Sequence, residues 1–372
     1  MAENDPCLTG IPAELFEDIA ERLPTKSLKA LRLTNRECAS KVLRNYTQAL
    51  FTRRAYYVSI EESLKHAIEV AEHPVFGSAV KTMYFLVDQV MGPADVRHPC
   101  FEGDGIFIEQ NKAFKEHVSF QQRDGDFKLL AELFAILKKR HAKPERVEVV
   151  DRATARVCPP SEAAGLHMKP PVSHAKDASR AFFAVVQAID DSGLEVPTFG
   201  GYGLDWSLPL SKIDLNGPGM SAFNSLLTTV QSLHLSFDDF IHTPEDKSSF
   251  EKTLSSAPVL KDLRVAGDAR WAGRPSDFSI APWLRSRTIN VLLHEKFTSL
   301  ECLSIKDACL DGKSLIAFAK QHKLLALRRV NLRNVALTDL TGNNVDACAR
   351  AALMKWMPVS GKYTLVREKR HT

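Results

Sequence analysis

The stretch VQSLHLSF, residues 230–237, puts apolar side chains at Val230, Leu233 and Leu235. An apolar residue, two others, then two apolar residues one apart describe a chain that turns into a strand and keeps one face inward. The same triad occurs at Leu210-Ile213-Leu215, Leu260-Leu263-Val265, Leu300-Leu303-Ile305 and Leu327-Val330-Leu332. Helical patterns run ahead of several of them, with Phe250 and Leu254 before one and Leu315 and Phe318 before another.

The same alternation extends upstream. SIEESLKHAIEVAEHP (59–74) has Ser59 and Glu62 at capping-box spacing and stops at Pro74. VKTMYFLV (80–87) follows, with Val80, Met83 and Phe85 as its apolar positions. DFKLLAELFAILKKR (126–140) aligns Phe127, Leu130, Ala131, Phe134 and Leu137 on one helical face, ahead of ERVEVV (145–150). DASRAFFAVVQAIDDSG (177–193) does so with Phe182, Val186 and Ile189, ahead of LSKIDL (210–215).

These triads resemble the L-x-x-L-x-L core of a leucine-rich repeat, whose apolar residues point into a stacked parallel sheet. The fold class expected is therefore α/β, with an irregular leucine-rich-repeat-like solenoid over residues 179–340 and first helix–strand units over 51–150. A doubly wound sheet is the alternative, because the triad arises wherever a strand follows a helix. Repeats bury their apolar faces only against neighbours, so several in succession is the physically sensible form.

Composition bounds the function. The 372 residues suffice for two or three domains, and a formal charge of +4 is too mild to imply nucleic acid as a partner. Seven scattered cysteines, none in a CxxC, read as reduced thiols of an intracellular protein, cytoplasmic or nuclear. No basic start with an apolar core announces a secretory signal, and no apolar run approaches the roughly 18 residues a membrane span needs.

Motif chemistry is mostly absent. DACLDGKSL (307–315) lacks the first glycine of a phosphate loop, Asp307 standing there, and reads as a helix start after Asp311. His294 has Thr298 where a zinc-protease helix needs its second histidine. RDGDFK (123–128) offers Asp124 and Asp126 but then Lys128 in place of a calcium ligand. FGGYGLDW (199–206), with Gly200, Gly201 and Gly203, reads as a flexible turn rather than a dinucleotide loop. Residues 89–105 and 151–178, rich in Pro, Gly and charge, read as loops, the second disordered; 341–372 reads as a basic, unpacked tail. No catalytic residue, cofactor or metal ligand is assigned.

The N-terminal stretch IPAELFEDIAERLPTKSLKALRLTNRECASKVL (11–43) carries more leucine than so small a unit can bury. It resembles an F-box, a three-helix module, through Pro12, Glu14, Leu15, Ile19, Leu23, Pro24, Leu28, Leu31, Arg32, Leu33 and Arg36; Ile11 and Asn35 depart from the usual pattern. The module spans residues 8–50, after a tail at 1–7. F-box proteins of fungal type tend to continue into irregular leucine-rich repeats. The resemblance implies a non-catalytic substrate-recognition subunit of a Skp–cullin–F-box ubiquitin ligase. It would bind a Skp-type adaptor and, through it, a cullin, and it would hold an unidentified target protein on the repeat domain, with no nucleic acid or membrane partner. The adaptor-binding residues it implies are Pro12, Leu15, Ile19, Leu23, Pro24, Leu28 and Leu31, with packing on the downstream helix as the alternative for each. Lys26, Lys29, Arg32, Lys41 and Arg44 either face an acidic adaptor or form a solvated helix face. The strand-to-loop positions Asn216, Asp238, Asp239, Asp268 and Asp307 are the expected target-binding surface. Two other readings stay open: an F-box scaffold without ligase activity, and an enzyme with an unrecognised site at 200–206 or 151–178.

Overall fold

The structure, a computed structural model, describes residues 8–87, 89–90, 104–151, 154, 172–173, 179–203, 208–209, 217–238, 253–255, 257–267, 287–323, 326–338 and 365–366. Three helices come first: α1 (Ala13–Glu21), α2 (Thr25–Thr34) and α3 (Arg36–Phe51), after a 3₁₀ turn at Leu8–Gly10. Pro12 and Pro24 stand immediately before α1 and α2, where a missing N–H costs a helix nothing. Asn35 separates α2 from α3 in an extended conformation, and its side chain accepts the Cys38 N–H at 2.8 Å. That is an N-cap, and asparagine is among the residues best suited to it.

Beyond the helices runs one parallel sheet, built from β1 (Arg53–Tyr57), β2 (Thr82–Leu86), β4 (Arg146–Val150), β6 (Thr198–Gly201), β8 (Ser232–Asp238), β9 (Asp262–Ala266), β10 (Cys302–Asp311), β11 (Arg329–Thr338) and β12 (Leu365–Val366). Neighbours in space follow the order of the chain throughout, so the sheet lacks the reversal of order that marks a doubly wound fold. Short β7 (Leu208–Pro209) pairs with β8, and β3 (Gln89–Val90) pairs antiparallel with β5 (Val172–Ser173).

The register places the triads in line. Met83, Val147, Phe199, Leu233, Leu263, Leu303 and Val330 are paired across successive strands, and so are Phe85, Val149, Gly201, Leu235, Val265, Ile305 and Leu332. All of them except Gly201 belong to one continuous core. The helices between strands supply its other side: α4 (Glu61–Glu72) through Leu64 and Ile68, and α7 (Gly125–Lys139) through Leu130, Phe134 and Leu137. Next come α8 (Ser179–Ser192) through Phe182, Val186 and Ile189, and α9 (Pro218–Leu227) through Phe223 and Leu226. The short α5 (Phe76–Ala79) and α10 (Arg287–Leu292), with α11 (Gly312–Lys323) after β10, continue this layer through Phe76, Ile289 and Phe318. Asp126, wholly buried, binds the Arg180 guanidinium at 2.9 and 3.1 Å and ties α7 to α8.

Arg54 takes the place of an apolar residue in the first strand, paired with Met83 and completely buried. It donates to the Leu50 carbonyl and the Tyr56 hydroxyl, each at 3.3 Å, and its guanidinium lies 5.1 Å from the Phe51 ring. Phe51 stacks on Phe76 at 3.9 Å, and Tyr46 of α3 leans on both rings. This aromatic seam joins α3 to α5, and Arg54 of β1 reaches it.

Several expectations are corrected. Phe199–Gly201, read as part of a flexible turn, belong to the strand Thr198–Gly201 in the middle of the sheet. Ser59 does not cap α4: the helix begins at Glu61 with no side-chain cap, and Ser63 Oγ instead accepts the Tyr57 N–H at 2.9 Å. Two stretches read as loops contain the paired β3 and β5, and α6 (Asp104–Gln122) begins at the end of the first. The expected tail contributes β12, alongside β11. The sheet passes from β4 to β6 without a change of order. The triad Leu210-Ile213-Leu215 lies outside the described residues.

Candidate functional site

Two surfaces carry features beyond folding. The first is the N-terminal module. Phe16 and Ala20 of α1, Leu28 of α2, and Cys38 and Val42 of α3 form a small core of their own, flanked by Ile11, Leu23, Leu31 and Tyr46. Leu15 and Ile19, about one helical turn apart on α1, flank the Phe16–Ala20 stripe and are exposed. Leu33 is 86% exposed and Leu8 is exposed as well. Four of the six large apolar side chains exposed among the described residues thus fall in the first 33 positions. Exposed large apolar side chains are thus concentrated in the N-terminal module.

Of the seven expected adaptor residues, Pro12, Leu15, Ile19 and Pro24 are exposed, Leu23 and Leu31 half-buried, and Leu28 belongs to the core. Leu8 and Leu33 were not foreseen as site residues. Leu33 lies off the Leu28–Leu31 stripe of α2, and that spacing was its available signal. Among the basic residues, Arg32 sits 4.4 Å over the Tyr46 ring, Lys41 bonds Glu37 and the Ile11 carbonyl, and Arg44 pairs with Glu17. Lys26 is exposed on α2.

The second surface is the sheet face opposite α4, α7, α8 and α9, which α6 covers at its β1, β2 and β4 end. Its half at β1, β2 and β4 is apolar: Ala55, Tyr57, Tyr84, Leu86 and Val150 cluster with Ile60, and Phe114 of α6 and Tyr202 pack against them. His117 of α6 bonds the Ser59 carbonyl at 2.7 Å and anchors the helix there; burial lowers its pKa.

From β4 to β11 the face is polar. The Tyr202 hydroxyl donates to Glu148 at 2.8 Å, and its ring stacks on His234 at 3.7 Å. Burial pushes the Glu148 carboxyl up against the opposing pull of Tyr202 and Arg146. Burial first, and then Arg264, Lys306 and Arg146, bring His234 down to about 3, so its ring is neutral. Arg264 holds Asp262 Oδ2 with two donors at 2.7 and 3.1 Å, while Asp262 Oδ1 is buried without a hydrogen-bond partner. Asn331 donates to Ser304 at 3.0 Å beside Cys302, whose thiol is raised by burial and by Asp262.

Of the expected target-binding residues, Asn216, Asp239 and Asp268 lie outside the described residues, and Asp238 closes β8. Asp307 sits in a left-handed conformation where β10 kinks, with its carboxylate 3.2 Å from Lys306. Pairing steps there from Lys306–Arg333 to Ala308–Val335. Asp311 starts α11 as expected, accepting the Ser314 N–H at 2.8 Å. His294, set aside as a zinc ligand, lies 3.4 Å from Ser314. Among the described residues no three His, Cys, Asp or Glu side chains group to hold a metal, and no helix is long and apolar enough to cross a membrane.

The polar sheet face was missed because its residues occupy the positions between the apolar ones of each triad, where sequence alone sees only generic surface. No protein-family model matches the chain, and no curated protein is similar to it.

Proposed function

We propose that the chain is a substrate-recognition subunit of a Skp–cullin–F-box ubiquitin ligase, its N-terminal helices acting as the F-box and its parallel sheet, with the helices packed on it, acting as an irregular leucine-rich-repeat solenoid. One observation carries the reading: Leu15 and Ile19 are exposed on a module whose own core is already complete with Phe16, Ala20, Leu28, Cys38 and Val42. A second surface is needed to cover them, and a Skp-type adaptor is the partner that the F-box resemblance supplies. Burying side chains of this size is worth roughly 1.5–3 kcal/mol each. The chain-ordered parallel sheet supports the other half, since stacked helix–strand units that touch only their neighbours have this order. The chain's contribution to ubiquitin transfer is then proximity, with the target held near the loaded enzyme.

Reconstitution with purified adaptor and cullin tests the reading. Co-elution of all three supports a ligase subunit. Co-elution with the adaptor but not the cullin supports the scaffold, and co-elution with neither overturns the F-box assignment.

A further inference from the structure

Three ion pairs on the polar sheet face share one polarity. In Arg146–Glu148, at 3.5 Å, the arginine side chain is 44% exposed and the glutamate 4%. In Arg264–Asp262, at 2.7 Å, the figures are 49% and 23%; in Lys306–Asp307, at 3.2 Å, 42% and 8%. Each carboxylate lies in the floor and each cation lies over it. Two further cations, Arg329 and Arg333, are exposed on β11 in the same rows of the register. Between the long side chains the rows hold small ones, with Ser236 paired to Ala266 and Arg264 to Ser304. Ser236 and Ala266 are themselves buried, so a partner approaching this face meets the exposed arginines and Lys306 first.

The geometry points to an acidic, extended polypeptide segment as the occupant, its carboxylates meeting Arg264, Lys306 and Arg333 while its backbone crosses β9, β10 and β11. From β4 to β11 the face crosses six strands, about 24 Å at roughly 4.8 Å per pair. An extended chain covers that in about seven residues. The neutral His234 ring beneath Tyr202 adds no cation of its own, so the charge comes from the arginines and lysine at the rim. Exposed pairs of this kind contribute little to folding. Their cations remain available to a ligand. This deepens the receptor reading by naming the chemistry of the target, yet it concerns the sheet alone and not the adaptor surface.

The test uses the full chain without adaptor and a short fluorescent poly-glutamate peptide, followed by polarisation at low and moderate salt. Binding is expected, weakening as salt rises. It should fall about tenfold in Lys306→Gln/Arg333→Gln, two neutral changes at exposed positions. Lys139→Glu/Lys143→Glu, exposed changes in and after α7, should leave it intact. Cooperative melting of each variant establishes that it is folded. Lack of binding, equal binding of a poly-lysine peptide, or equal loss in both double variants would overturn the proposal. Inorganic phosphate competing as well as the peptide would reduce the face to a plain anion site and overturn the segment. Because the adaptor is left out, failure here is separate from failure of the F-box reading.

Discussion

A Cβ added to Gly201 would run into the ring of Phe182, and one added to its neighbour Gly200 would stand 3.1 Å from Tyr202 and 3.3 Å from Glu148. The two glycines face opposite sides of β6, and each leaves room for an aromatic ring. Gly201→Ala is expected to destabilise the fold by about 1–3 kcal/mol, read as a lower urea midpoint. Two adjacent glycines weaken a strand pattern, which is why FGGYG reads as a turn; only the rings they accommodate, brought from α8 and from the end of β6, show why glycine belongs there. His234 gives a second residue-scale expectation. Its imidazole is held neutral in the folded chain, with a pKa of about 3, but takes up a proton on unfolding below the ordinary histidine range. Its contribution to stability is therefore present above that range and lost as pH falls toward about 3. His234→Gln should reduce the dependence of stability on pH by about 1.4 kcal/mol per unit between about pH 6 and 4, measured by urea unfolding across that window.

Helices and strands were legible to different degrees. The buried stripes of α7 and α8, with Phe134 and Leu137 on one and Phe182 and Ile189 on the other, follow directly from the spacing in the sequence. What spacing cannot supply is the tie between them. Asp126 reads as a turn residue ahead of its helix, while its partner Arg180 is more than fifty positions away. Asp126→Ala should lower stability by about 1–3 kcal/mol by removing the charge-assisted bonds from a buried site. Likewise Ser59 and Glu62 have the spacing of a capping box, yet the chain turns into α4 one residue later and gives Ser63 the hydrogen bond to β1. Local signals place an element; the neighbouring strand decides its first residue.

At the scale of the whole molecule, the triads at Val230, Leu260, Leu300 and Leu327 carried the parallel sheet correctly, and their inward residues pair strand to strand. Val196-Phe199-Gly201 fits the same frame but hides its last position behind glycine. The candidate surfaces were legible unevenly. The stretch before residue 34 reads as carrying more leucine than so small a unit can bury, and Leu8, Leu15 and Leu33 are exposed there. The polar sheet face depends on which strands become neighbours, and a single triad carries no record of that. The two surfaces sit on distinct parts of the chain, so exposed substitutions on α1 should leave the sheet intact: Leu15→Asp/Ile19→Asp is expected to change the urea midpoint by no more than about 0.5 kcal/mol in stability. Phe16→Ala, inside the small core, should cost about 3–5 kcal/mol.

That contrast makes the decisive measurement possible: calorimetric titration of the full chain with a purified Skp-type adaptor, for the native sequence and for Leu15→Asp/Ile19→Asp. The account predicts saturable binding by the native chain and none by the variant, with both unfolding cooperatively at nearly the same urea concentration. A folded native chain that gives no binding, or a variant that binds as tightly as the native chain, would contradict it.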